Sequence, residues 1–71
     1  MTWKNLVKWV IGLHSDKVRY ETDCCGIKQE YICVNYELYF YSDGEIVAGW
    51  GETIATNRSN NQMKKIIESL L

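Results

Sequence analysis

Proline is absent from these 71 residues, so every turn must be made by glycine, asparagine or aspartate. Histidine occurs once, at His14, and cysteine three times. Cys24 and Cys25 are adjacent and Cys33 follows in the same half of the chain. An odd count at such close spacing does not suit a disulfide framework, so free thiols in a reducing compartment are expected. Long apolar runs are also missing. The stretch LVKWVIGL is interrupted by Lys8 and falls well short of the roughly 20 residues a bilayer-spanning helix needs. No small-residue cleavage site follows it. A soluble, cytoplasmic protein with no membrane association is the expectation.

Excess charge of one sign is lacking too. The net charge is -1, which argues against a general polyanion binder, since such affinity comes mostly from Lys and Arg at phosphates. Catalytic chemistry finds few supports. Nothing near His14 completes a nucleophile, base and orienting group, and no two acids have a spacing that suggests acid and base roles. A zinc site from Cys24, Cys25, Cys33 and His14 would place adjacent strand residues on opposite faces, unlike the Cys-x-x-Cys spacing of tetrahedral sites. Gly49-x-Gly51 lacks the third glycine of a dinucleotide fingerprint. The expectation is a chain with no metal, no cofactor and no enzymatic activity.

What is present is a small globular domain, with 46% hydrophobic and 24% charged residues. Residues 2–14 predict a helix: Trp3, Leu6, Val7, Val10 and His14 recur at helical spacing, and Thr2 suits the N-cap. Trp9 falls off this stripe. It reads as a rim residue of the core, or alternatively as a contact anchor for a partner. From Lys17 to Cys24 the residues alternate, with Val18, Tyr20, Thr22 and Cys24 opposed to Lys17, Arg19, Glu21 and Asp23; that is a half-buried strand. Gly26 to Gln29 is expected to turn the chain. Residues 30–53 predict one long hairpin about a two-residue turn at Asp43-Gly44. Residues 54–58 read as loop, and the sequon at Asn57-Arg58-Ser59 as chance. Met63, Ile66, Ile67 and Leu70 then form a helical stripe behind Ser59-x-x-Gln62, a capping-box spacing.

The two-residue turn fixes a register in which Tyr41 opposes Ile46, Phe40 opposes Val47, and Leu38 and Tyr36 oppose Gly49 and Gly51. The set holding Phe40, Leu38, Ile32 and Val34 is the more aliphatic and is expected against the helices. The open face is then expected to carry Tyr31, Cys33, Tyr39, Tyr41, Ile46 and Trp50 beside the charged row of the first strand. A change of register by one exchanges the faces. An exposed aromatic patch rimmed by charge commonly marks a contact surface.

The order helix, three strands, helix resembles the double-stranded-RNA-binding domain over nearly the whole chain. Tyr20-Glu21 sits where that family has a Tyr-Glu pair, Gly26 resembles the start of its first loop, and Gly49-Trp50-Gly51 its later glycines. Ser59, Met63, Ile66 and Ile67 match the opening of its second helix. Asn60 and Asn61 stand where the family has two adjacent lysines, and only Lys64 keeps that basic character. The resemblance implies RNA contacts from Lys64, Lys65, Arg58 and Lys28. By size and class alone, the chain is also similar to small phage-encoded inhibitors of host defence, such as anti-CRISPR proteins.

Together these readings predict a single α+β domain, residues 1–71, with a three-stranded antiparallel sheet and both helices on one face. The favoured function is a non-enzymatic protein-binding module, an inhibitor that occludes a surface of a nucleic-acid-handling or defence enzyme. Tyr39, Tyr41, Trp50, Ile46 and Tyr31 would supply contact area, Glu37 and Glu45 orientation, and Trp9 a further anchor. The alternatives are a divergent RNA-binding domain and a self-associating domain that forms a homodimer.

Overall fold

The computed structural model describes residues 1–23 and 30–71. The expected turn at Gly26 to Gln29, with Cys24, Cys25 and Lys28, lies outside these described residues. The element order is α1 (Trp3–Gly12), β1 (Val18–Thr22), β2 (Glu30–Val34), β3 (Leu38–Tyr41), β4 (Ile46–Ala48), β5 (Thr53–Ala55) and α2 (Asn60–Leu70). All five strands form one antiparallel meander in sequence order, β1-β2-β3-β4-β5. The architecture is α+β as expected, but the sheet has five strands rather than three.

Both helices begin on side-chain caps. The Thr2 hydroxyl accepts from the Asn5 N–H, and at α2 Ser59 and Gln62 form a complete capping box. α1 stops at a left-handed residue: His14 has φ 49°, and its N–H donates to the Ile11 carbonyl. One core joins the layers. Leu6 and Val10 from α1 meet Met63 and Ile67 from α2 over Val18, Ile32, Val34, Phe40 and Ile46 of the sheet. Full burial of each such side chain contributes about 1.5–3 kcal/mol, so this one cluster carries most of the stability available to a chain of this size. Glu30 ties α1 to the sheet from the same side, its carboxylate accepting from the Trp3 indole N–H and from the Tyr20 hydroxyl (3.1 Å).

Two differences from the expected strands follow from turns. First, the long arm of the expected hairpin breaks at Asn35-Tyr36, which both take positive φ (55° and 60°) while the Glu37 N–H donates to the Val34 carbonyl. That is type I′ geometry, and it splits the arm into β2 and β3. Second, the turn at Asp43-Gly44 has three residues, not two. The Gly44 N–H donates to the Tyr41 carbonyl and the Tyr41 N–H to the Glu45 carbonyl, with Gly44 at φ 89°. This is the three-residue hairpin loop, a turn closed by a left-handed glycine.

β4 therefore slips by one against β3. Phe40 pairs with Ile46, Tyr39 with Val47 and Leu38 with Ala48. Phe40 and Leu38 do face the helices, as expected. Ile46, expected on the open face, is in the core at 3% exposure, and Val47 takes its place. The same device recurs seven residues on. The Gly51 N–H donates to the Ala48 carbonyl and the Ala48 N–H to the Glu52 carbonyl, with Gly51 at φ 96°. This second loop launches β5 where a loop was expected, so Gly49 and Gly51 serve a hairpin. Gly49 instead abuts the neighbouring turn, donating its N–H to the Glu37 carbonyl at 2.6 Å.

Candidate functional site

The helices cover one face of the sheet. On the other, the odd-numbered residues of β1, β2 and β3 make a continuous chain of side-chain contacts. At one end the Arg19 guanidinium lies 5.3 Å from the centre of the Tyr36 ring. Arg19 also pairs with the Glu21 carboxylate, its Nε donating at 3.1 Å. The second oxygen of Glu21 accepts from the Tyr31 hydroxyl at 2.6 Å. The Tyr31 ring in turn meets Tyr39 edge-on at 5.3 Å and Tyr41 at a tilt at 5.9 Å. Edge-on and tilted contacts of this kind add to the stability gained from burial alone. The register places these groups: Tyr31 opposes Glu21 on one side and Tyr41 on the other, while Cys33 opposes Arg19 and Tyr39.

This arrangement fixes protonation. The hydrogen bond from Tyr31, and then the one from Arg19, hold the Glu21 carboxyl below its ordinary range. The Glu21 carboxylate, helped by burial, pushes the Tyr31 phenol up to about 12. Burial likewise raises the Cys33 thiol, which is 7% exposed under the tyrosines. Such a thiol is a packing group, since reactive cysteines are exposed and have lowered pKa values. The face presents hydroxyls, ring edges and the internally matched Arg19–Glu21 pair. It is suited to contact.

The expected site residues divide. Tyr31, Tyr39 and Tyr41 come together on the open face, all half-buried. Trp50 sits at the tip of the β4–β5 turn, 73% exposed, its indole N–H donating to Glu52 at 3.0 Å. Glu37 is exposed in the β2–β3 turn, whose backbone touches that of Gly49, so these two aromatic turns share one end of the sheet. Glu45 is half-buried beside the β3–β4 turn, with its N–H donating to Asp43. Trp9 lies on the helical side, half-buried against the core, with the Lys64 ammonium 5.1 Å from its ring centre. Lys65 and Arg58 are exposed near Lys64 in sequence.

Tyr36 was not among the expected contact residues, although it is 67% exposed. A tyrosine at positive φ costs about 1 kcal/mol where glycine would cost nothing. Asn35 beside it is the only local hint of this turn, because asparagine tolerates that conformation.

Charge is segregated along the chain. The two helices with Arg58 hold Lys4, Lys8, Arg58, Lys64 and Lys65 against a single acid, Glu68, whereas the chain between them holds eight acids against three bases. A net charge of -1 thus conceals basic helices and an acidic stretch between them, whose acids lie mostly in the connections between strands. No helix among the described residues is long and apolar enough to cross a membrane. Comparison of the chain with protein-family models, curated proteins and solved structures finds no match.

Proposed function

We propose that this chain is a non-enzymatic protein-binding module that works through the open face of its sheet. The observation that carries the reading is the contact chain from Tyr36 through Arg19, Glu21 and Tyr31 to Tyr39 and Tyr41, on the side away from the helices. Tyrosine supplies broad contact area at low entropic cost, and side chains already held by one another lose less freedom on binding. Arg58 aside, the chain between the helices holds eight acids against three bases, Glu37 and Glu45 in the turns of the sheet among them, so the favoured partner presents a basic surface, as nucleic-acid-handling enzymes do. An inhibitor that occludes such a surface, in the manner of small phage-encoded anti-CRISPR proteins, is the specific form of the proposal.

The test is affinity capture from the native host extract with wild-type chain and with Tyr39→Ala plus Tyr41→Ala. One specific protein is expected with the wild type, held less tightly as salt rises, and lost by at least about tenfold with the tyrosine variant. Circular dichroism must show the variant folded. Tyr36→Gly is a second arm, because it creates the Asn-Gly pair that this turn prefers. It is expected to raise the melting temperature while weakening capture. An electrophoretic shift with double-stranded RNA, abolished by Lys64→Glu plus Lys65→Glu, would instead support RNA binding by the helical layer. That outcome would overturn protein binding by the tyrosine face.

A further inference from the structure

β1 is one edge of the sheet, and a groove of about 360 Å³ runs beside it, walled by Val10, Ile11, His14 and Ser15 at the end of α1. Ile11 is 54% exposed there. The Lys17 carbonyl accepts from the Asn35 N–H at 2.7 Å, so the odd-numbered residues direct their backbone groups to β2. By the alternation of an antiparallel ladder, Val18, Tyr20 and Thr22 direct theirs away from β2, to an edge that no other strand among the described residues covers. Such an edge is a template for another strand, and proteins commonly guard it with charged side chains. Here the row changes sign: Lys17 and Arg19 precede Tyr20, and Glu21 and Asp23 follow it.

We propose that the chain forms a two-fold dimer by antiparallel pairing of β1 with β1 of a second copy, centred on Tyr20. In that register Lys17 of each copy opposes Asp23 of the other, and Arg19 opposes Glu21. The backbone phase agrees. Tyr20 meets its own counterpart in a hydrogen-bonded pair, as its outward groups require. Arg19 and Glu21 fall in the non-hydrogen-bonded pairs, where Cα atoms approach to about 4.5 Å and side chains are closest. The two neighbouring registers of the same phase set Arg19 against Arg19 or Glu21 against Glu21, and like charges directly opposed are unfavourable. The charge order therefore selects one register, and Ile11 gives the seam an apolar contact. Dimerisation leaves the tyrosine face open and sets two copies of it side by side.

Sedimentation equilibrium of the full chain from micromolar to millimolar concentration tests this. The wild type is expected to shift from monomer to dimer, and the amides of Val18, Tyr20 and Thr22 to exchange more slowly at high concentration. Lys17→Glu with Arg19→Glu makes the row wholly acidic, and Glu21→Lys with Asp23→Lys makes it wholly basic. Each variant alone is expected to dissociate at least about tenfold more readily than wild type, while an equimolar mixture forms a heterodimer. A wild type that stays monomeric, or amides whose exchange ignores concentration, overturns the proposal. So do variants that dimerise unchanged, or a mixture that does not associate. None of these outcomes depends on partner capture by the tyrosine face.

Discussion

Tyr31 is held between a carboxylate and two phenol rings, and this sets how the open face titrates. Its folded pKa, about 12, lies above the ordinary value of 10.0. A raised folded pKa means that its share of stability is complete below pH 10 and is lost as pH climbs towards 12. Phenolate absorbance is expected to show one tyrosine ionising late, near the alkaline unfolding transition. Glu21→Gln is expected to bring that step down towards 10, because the carboxylate is the largest cause of the shift. An alkaline titration unchanged by the substitution would show that Tyr31 does not donate to Glu21. The acid limb has the opposite sign. Glu21 is depressed below 4.5, so its contribution is present above that pH and is lost as pH falls through the lower folded value. At this scale the sequence was partly legible: alternation alone put Tyr31, Tyr39 and Tyr41 on one face. The link through Glu21 and Arg19 was not, because it needs the pairing of β1 with β2.

At the scale of elements, the two three-residue loops behave differently under the same substitution. Gly44 and Gly51 both have strongly positive φ, which L side chains avoid. Around Gly51 the space is open, so Gly51→Ala is expected to cost about 1 kcal/mol, from backbone strain alone. At Gly44 an added Cβ would also meet the Arg58 backbone, 2.7 Å from its nitrogen, where the Arg58 N–H donates to the Gly44 carbonyl. Gly44→Ala is expected to cost at least about 2–3 kcal/mol, read from denaturant midpoints. Equal losses would show that the Arg58 contact does not form. The helices were legible to within two residues because capping and periodicity agree at Thr2 and at Ser59. The hairpin was legible as a hairpin only. Asp-Gly fits a two-residue loop and the last two places of a three-residue one, and only the burial of Ile46 against Phe40 decides between them. β5 was not legible because Thr53 to Ala55 is too short to show alternation, and Thr53 and Ile54 are exposed. The second Gly-Glu, seven residues after the first, was the available signal.

For the whole molecule, segregated charge means that orientation matters more than the net value of -1. The basic helices and the acidic stretch between them would be steered in opposite directions by any charged partner, so approach to a basic surface turns the helices away from it. That arrangement could not be read from composition, because it depends on which residues the helices carry outward after their apolar stripes are buried.

The plain order of the strands has a kinetic consequence. Every strand in the meander pairs with its immediate neighbour in the chain, so closing the sheet requires only short loops and no crossover. Stopped-flow refolding is expected to show one phase in the millisecond range or faster, typical of mixed two-state domains. With no proline in the chain, no slow isomerisation phase should follow it. The β3–β4 and β4–β5 hairpins each close over a three-residue loop, so neither waits on a distant part of the chain. A newly made copy would then need little time before it could act.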